Sequence, residues 1–111
     1  MKRRNKKTLE KNISAVKSRK AKAIANYKLA LFHDNNNREK EAIPLYKTSI
    51  SLGLTKDTKA EALAWLSSSL YKTNQPKEAI KRLRQAQQLT KNKKLVKFLS
   101  GLEKRIEKNK F

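Results

Sequence analysis

One pair of adjacent side chains in this sequence has the types needed for acid–base chemistry: His33 is followed directly by Asp34. Acid–base catalysis needs a nucleophile or substrate-positioning set around such a pair, and no nucleophile pattern accompanies this one. Both residues also fall at the predicted end of a helix. We therefore expect His33 to fill a packing site between helices and Asp34 to begin a turn. The sequence predicts no catalytic residue and no enzyme activity.

The run at residues 34–37, Asp-Asn-Asn-Asn, has some of the oxygen ligands of a calcium loop. However, Arg38 and Lys40 intrude, no glycine occupies the sharp-turn position, and the bidentate glutamate is missing at the required spacing. A single histidine without cysteines leaves no set of transition-metal ligands. Two isolated glycines, Gly53 and Gly101, do not form a phosphate-binding loop. We expect no metal site and no cofactor.

The charge of the chain is concentrated at its two ends. Its 111 residues, enough for one domain, carry 29 lysines and arginines against nine acids, for a net charge of +20. Residues 1–22 hold ten bases and one acid, and residues 91–110 hold eight bases and two acids. Such a field attracts nucleic acid, anionic lipid or acidic proteins without distinguishing among them. The candidate contacts for an anionic partner are Lys2, Arg3, Arg4, Lys6, Lys7, Lys17, Arg19 and Lys20.

Cysteine is absent, so the sequence provides no disulfide framework, which fits a reducing compartment. No apolar run has the length of a signal peptide core or of a membrane span. We expect a soluble, cytoplasmic protein. The oligomeric state, and the order of residues 1–22 in isolation, stay open at this point.

Apolar residues at helical spacing predict five helices and no strands. A weak pattern begins at Leu9, and the predicted firm helices cover, approximately, residues 23–33, 38–52, 58–72, 76–89 and 94–106. Asn37 is expected to cap the second helix, Gly53 to end it, and Pro44 to bend it. Thr58 and Glu61 have the spacing of a capping box for the third.

Two segments with the sequence Glu-Ala-Ile, residues 41–43 and 78–80, open the second helix of two successive pairs and lie 37 residues apart. This is close to a repeat period of about 34 residues. In that frame the chain resembles the tetratricopeptide repeat, whose paired helices cross closely at three small residues in each unit. The six corresponding residues are all small: Ala30, Ala42, Ser49, Ser67, Ala79 and Ala86. The large packing positions between them hold Leu29, Tyr46, Leu66 and Leu83.

More narrowly, the Gly-Leu connection at residues 53–54 is similar to that of compact bacterial tetratricopeptide proteins with about two units. The resemblance implies an all-α fold of antiparallel helical hairpins, stacked as a short solenoid with a C-terminal capping helix. The implied segments are a basic N-terminal arm or helix extension (1–22), two hairpins (23–90) and a basic amphipathic cap (91–111). Asn26 and Leu63 depart from the family by replacing its early aromatic residue.

The resemblance also implies an interaction role without naming a partner. The inner face of the first helices is predicted to form a groove for a peptide or an amphipathic helix. Its residues are Ile24, Tyr27, Leu31, Ala64, Ser68 and Tyr71. The alternative for this face is that flanking helices simply cover it.

Two functions therefore remain. The first is a non-enzymatic scaffold that binds a protein or peptide partner, with basic ends that attract an acidic surface. The second is an RNA- or ribosome-associated protein that binds the phosphate backbone through those ends. The basic arm contains no aromatic residue, which argues against sequence-specific recognition of single strands. For the last helix, a capping role is favoured over binding to a membrane surface.

Overall fold

The computed structural model of the chain describes residues 18–109. These residues form five α-helices and no strand, which confirms the all-α prediction. The helices are α1 (Arg19–Asn35), α2 (Glu39–Leu52), α3 (Lys56–Lys72), α4 (Pro76–Leu89) and α5 (Lys93–Lys108). They belong to two compact units, one ending at Leu54 and the other beginning at Thr55.

The first unit is an antiparallel hairpin of α1 and α2. The two helices are joined by a three-residue turn, and the start of α1 contacts the end of α2 through Arg19 and Leu52. In the middle of the hairpin the rings of Tyr27 and Tyr46 lie 6.1 Å apart. Ala30 of α1 is wholly buried, and a larger residue there would hold the helices apart.

The second unit contains the hairpin of α3 and α4, and α5 packs on both of these helices. Ser67 and Ala79 are wholly buried where α3 crosses α4. Leu66 and Leu83 are also wholly buried, and each such side chain stabilises the fold by about 1.5–3 kcal/mol. The hairpin thus has small residues at the crossing and leucines beside it.

Helix α5 closes the second unit, as the sequence predicted for a capping helix. One stripe of its side chains, Leu95, Leu99, Leu102 and Ile106, is buried. Trp65 contacts Phe98. Tyr71, which comes later in α3, contacts Arg105, which comes later in α5. Helix α5 therefore runs parallel to α3.

Two asparagines permit the tight turns within the hairpins. Asn37 has φ 59° and Asn74 has φ 62°, the left-handed conformation that asparagine tolerates better than most residues. The prediction that Asn37 caps α2 was wrong, because the cap position is Arg38 and no side chain bonds there. The capping box at Thr58 was also misplaced. Helix α3 starts at Lys56, two residues earlier than predicted, and its cap residue is Thr55, whose Oγ1 accepts a hydrogen bond from the Thr58 amide.

Pro44 lies inside α2 without ending it, and its ring is exposed. Because this side of the helix faces water, the backbone carbonyl that lost its amide partner can be solvated. The weak helical pattern predicted from Leu9 lies outside the described residues.

Candidate partner-binding surfaces

The histidine–aspartate pair is part of the turn between α1 and α2. His33 is buried, and its Nδ1 accepts a hydrogen bond from Arg38 Nε at 3.0 Å. Asp34 Oδ2 accepts a hydrogen bond from the Tyr46 hydroxyl at 2.8 Å. Burial raises the pKa of Tyr46 well above its usual range, and the neighbouring Asp34 carboxylate raises it further. These hydrogen bonds join His33 and Asp34 to the residues of the hairpin turn and of α2.

Within residues 18–109, no three histidine, cysteine, aspartate or glutamate side chains come together as a metal site would require. In the same part of the chain, no helix combines the length and the apolar character that a membrane span needs.

Three of the six predicted groove residues lie on α1 in the first unit. Ile24 is 40% exposed, and Leu31 is half-buried. Tyr27 is only 8% exposed, because its ring packs on Tyr46. Ile24 is therefore the most accessible of these three side chains.

The other three predicted groove residues lie on α3 in the second unit. Ala64 is wholly buried and Ser68 is half-buried. The Tyr71 hydroxyl accepts a hydrogen bond from Asn109 Nδ2 at 2.6 Å and donates a long one, 3.5 Å, to the Arg105 carbonyl. The hydroxyl group of Tyr71 is therefore hydrogen-bonded to the C-terminal end of α5.

Most of the predicted anionic-partner contacts, Lys2, Arg3, Arg4, Lys6, Lys7 and Lys17, lie outside the described residues. Lys20 is exposed on α1. Arg19 has a structural role that the sequence did not indicate: its Nε donates to the Leu52 carbonyl at 3.0 Å, and its Nη2 donates to the Ser51 carbonyl at 3.2 Å. The guanidinium thereby satisfies carbonyls that have no helical partner at the C-terminus of α2.

A cleft of about 530 Å³ lies between the first halves of α3 and α5. Trp65 of α3 and Phe98 of α5 both line it and contact each other edge-to-face, with ring centroids 4.9 Å apart. The α3 side carries two acids and the α5 side carries two lysines. The lining residues are Asp57, Glu61, Trp65, Thr90, Lys91, Asn92, Lys94, Leu95 and Phe98. The cleft thus has apolar aromatic walls and a rim with charges of opposite sign on its two sides.

A family model described as "Tetratrico peptide repeat" matches residues 23–103, which is most of the chain. This chain belongs to the tetratricopeptide repeat family. No curated protein matches it significantly. The resemblance read from the small crossing residues is therefore confirmed, and the match continues beyond residue 90 into α5.

In the tetratricopeptide frame, α5 follows α3 by one repeat period. The contact between Tyr71 and Arg105 joins residues 34 apart, which is one repeat period. At the same spacing, Gly101 corresponds to Ser67, the small residue at the crossing of α3 and α4. Helix α5 is therefore equivalent to the first helix of a third unit.

The cleft was not predicted from the sequence, because the inner face was assigned from only two units. Trp65 and Phe98 are almost one repeat apart, so they occupy neighbouring positions on α3 and α5. Extending the repeat frame by a further period would have revealed this aromatic pair.

Proposed function

We propose that this protein is a non-enzymatic scaffold that binds a segment of a partner protein in the cleft between α3 and α5. Tetratricopeptide proteins are protein-interaction scaffolds. For this chain, the main support for the proposal is the edge-to-face pair of Trp65 and Phe98, which lines an open cleft. The cleft volume of about 530 Å³ lies within the range of small-molecule pockets, roughly 300–1,000 Å³. It has room for one or two large side chains of a peptide.

The lining residues indicate what the bound segment should contain. A large apolar or aromatic side chain would pack against the exposed surface of the Trp65–Phe98 pair, since aromatic residues dominate the binding energy at interfaces. A basic residue on one side of this anchor would face Asp57, and an acidic residue on the other side would face Lys94. The opposite charges of the rim would then fix the direction in which the segment lies.

Binding in the cleft can be measured by the fluorescence of Trp65, because it is the only tryptophan of the chain. Peptides selected from a random displayed library against the full chain should change the Trp65 fluorescence when they bind. Most should carry an apolar anchor flanked by one base and one acid. Exchanging the rim charges together, Asp57→Lys with Lys94→Glu, should weaken these peptides by about tenfold or more.

Lys81→Glu is the matched control, since Lys81 is exposed on α4 and does not line the cleft. Its variant should bind the selected peptides as the unchanged protein does. Selected peptides that leave the fluorescence unaltered and bind the exchanged-rim variant equally well would refute the cleft as the binding site.

The wider groove predicted from the sequence stays a proposal for Ile24, Leu31, Ser68 and Tyr71, whose side chains are at least partly exposed. A cytoplasmic location likewise stays a prediction from the cysteine-free sequence.

Binding to the phosphate backbone of RNA is the second candidate, and the exposed lysines of α5 favour it. Lys93, Lys97 and Lys104 lie on one face of that helix and are exposed. Affinity for RNA should then fall steeply as salt rises, because each neutralised phosphate releases counterions. An absence of RNA binding at low salt would exclude this candidate.

A further inference from the structure

The outer face of α5 is an open surface with an apolar centre and a basic border. A shallow depression of about 560 Å³ runs along it. At its centre Val96 is 45% exposed, beside Ser100 and Gly101. Every charged residue that lines it is a lysine: Lys91, Lys93, Lys97 and Lys104.

The repeat spacing shows what kind of surface this is. One period of 34 residues earlier, Lys97, Ser100, Gly101 and Lys104 correspond to Leu63, Leu66, Ser67 and Leu70 of α3. That stripe of α3 is buried, and Ser67 donates a hydrogen bond to the backbone of α4. The outer face of α5 is therefore the repeat equivalent of the face by which α3 crosses α4, and its residues are exposed.

Gly101 leaves the backbone of α5 open at the centre of this face. A methyl group placed on its Cα would meet no atom within 4 Å. Crossing helices approach most closely where their side chains are smallest, as Ser67 and Ala79 do in the second hairpin. The backbone of α5 is therefore accessible to a second helix at Gly101.

The lysines decide what can occupy the face. Their aliphatic stems can pack on apolar side chains while their ammonium groups reach carboxylates at the edges of a bound helix. Residues 1–17 of the chain carry seven bases and one acid, so charge repulsion disfavours them as the occupant. A second copy would bring the same lysines and is disfavoured for the same reason.

We propose that the outer face of α5 binds an acidic, amphipathic helix of a partner protein, which crosses α5 at Gly101. The helix would place a small residue over Gly101, an apolar residue on Val96, and glutamates or aspartates against Lys97 and Lys104. This surface is separate from the cleft, since the two share only Lys91. It gives the scaffold a second binding site with a different specificity.

Two substitutions of Gly101 test the proposal, and neither is expected to destabilise the fold. The probe is a synthetic amphipathic helix of about five turns, with alanine along its centre and glutamate on both sides. Gly101→Leu and Gly101→Ala should both raise the melting temperature, because both residues favour helix over glycine and the site is open. Gly101→Leu should weaken the probe by about tenfold or more, since it blocks the crossing.

Gly101→Ala should retain binding of the probe within about twofold, because alanine occupies the equivalent crossing position as Ala30 in the first unit. This difference between the two variants should persist at high salt, which weakens only the contribution of the lysines. Equal binding by Gly101→Leu and the unchanged protein would overturn the proposal, and so would failure of the probe to bind the unchanged protein.

The lysines of this face provide a second test of the proposal. Replacing Lys97 and Lys104 together by glutamate should reduce probe affinity by about tenfold at low salt. Lys81→Glu, on the exposed face of α4, should leave it unchanged. If a duplex RNA bound more tightly than the acidic helix and ignored Gly101→Leu, the face would be a phosphate-binding surface and the proposal would be wrong. Selected cleft peptides should bind Gly101→Leu normally, so the two sites can fail independently.

Discussion

The Ser67 hydroxyl donates a hydrogen bond of 2.6 Å to the backbone carbonyl of Ala79, where α3 crosses α4. Both residues are wholly buried. The serine side chain therefore contacts the backbone of the neighbouring helix directly, and the hairpin has no room for a larger residue at either position.

Replacing Ala79 by leucine should overpack this crossing and lower the free energy of unfolding by about 1–3 kcal/mol. Urea denaturation followed by circular dichroism at the helix band would measure the loss. Gln88→Leu, on an exposed position of the same helix, is the control and should change stability little. An Ala79→Leu variant as stable as the unchanged protein would mean that the crossing is looser than the structure shows.

Two buried serines of α3 should respond in opposite ways to alanine. Ser67→Ala removes the bond to Ala79 and should cost about 0.5–1.5 kcal/mol. The Ser69 hydroxyl is equally buried but has no hydrogen-bond partner among the described residues. Ser69→Ala removes an unsatisfied polar group and should leave the unfolding free energy unchanged or raise it by up to about 1 kcal/mol. Equal losses in the two variants would contradict this assignment.

Tyr46 should make the protein less stable in alkaline solution. Because burial and Asp34 raise its pKa, the folded protein keeps the phenol proton at a pH where the unfolded chain, with a tyrosine pKa near 10, releases it. This contribution to stability is complete below about pH 10 and is lost as the pH rises further, by at most about 1.4 kcal/mol per pH unit.

The check is urea denaturation at several values between about pH 9 and 11, the range that spans the unfolded pKa. Tyr46→Phe should show a smaller alkaline loss than the unchanged protein, while it loses stability at neutral pH with the bond to Asp34. Tyr71→Phe keeps Tyr46 and should retain the alkaline loss. If all three proteins follow parallel curves, Tyr46 is not responsible.

Arg19 and Lys20 are adjacent bases with different expected effects. Arg19→Gln should lower the unfolding free energy by about 0.5 kcal/mol, at the low end for hydrogen bonds because the guanidinium is exposed. Lys20→Gln should not change it, since no contact of Lys20 stabilises the end of α2. A thermal melt of both variants would show whether Arg19 acts in the fold or, like Lys20, only contributes charge.

The small crossing residues made most of this fold predictable from the sequence. Ala30, Ala42, Ser67 and Ala79 have a spacing that only close helix pairs require, so the hairpins could be predicted without knowledge of their contacts. Helix starts were less predictable, because Thr55 and Thr58 offer similar capping side chains and the choice between them depends on packing. The predicted groove residue Ala64 proved buried because a helical pattern specifies a face but not what covers it.

Helix α5 offers a comparison of its two faces within four residues. Leu99 is wholly buried in the second unit, so Leu99→Ala should lower the free energy of unfolding by about 2–5 kcal/mol. Val96 is 45% exposed on the outer face, so Val96→Ala should change stability by less than about 0.5 kcal/mol. Binding of the acidic helix should show the reverse order, because Val96 supplies the apolar centre of that face while Leu99 contacts only the interior. A Val96→Ala variant that lost both stability and binding would show that this side chain belongs to the core, and that the outer face is not a separate surface.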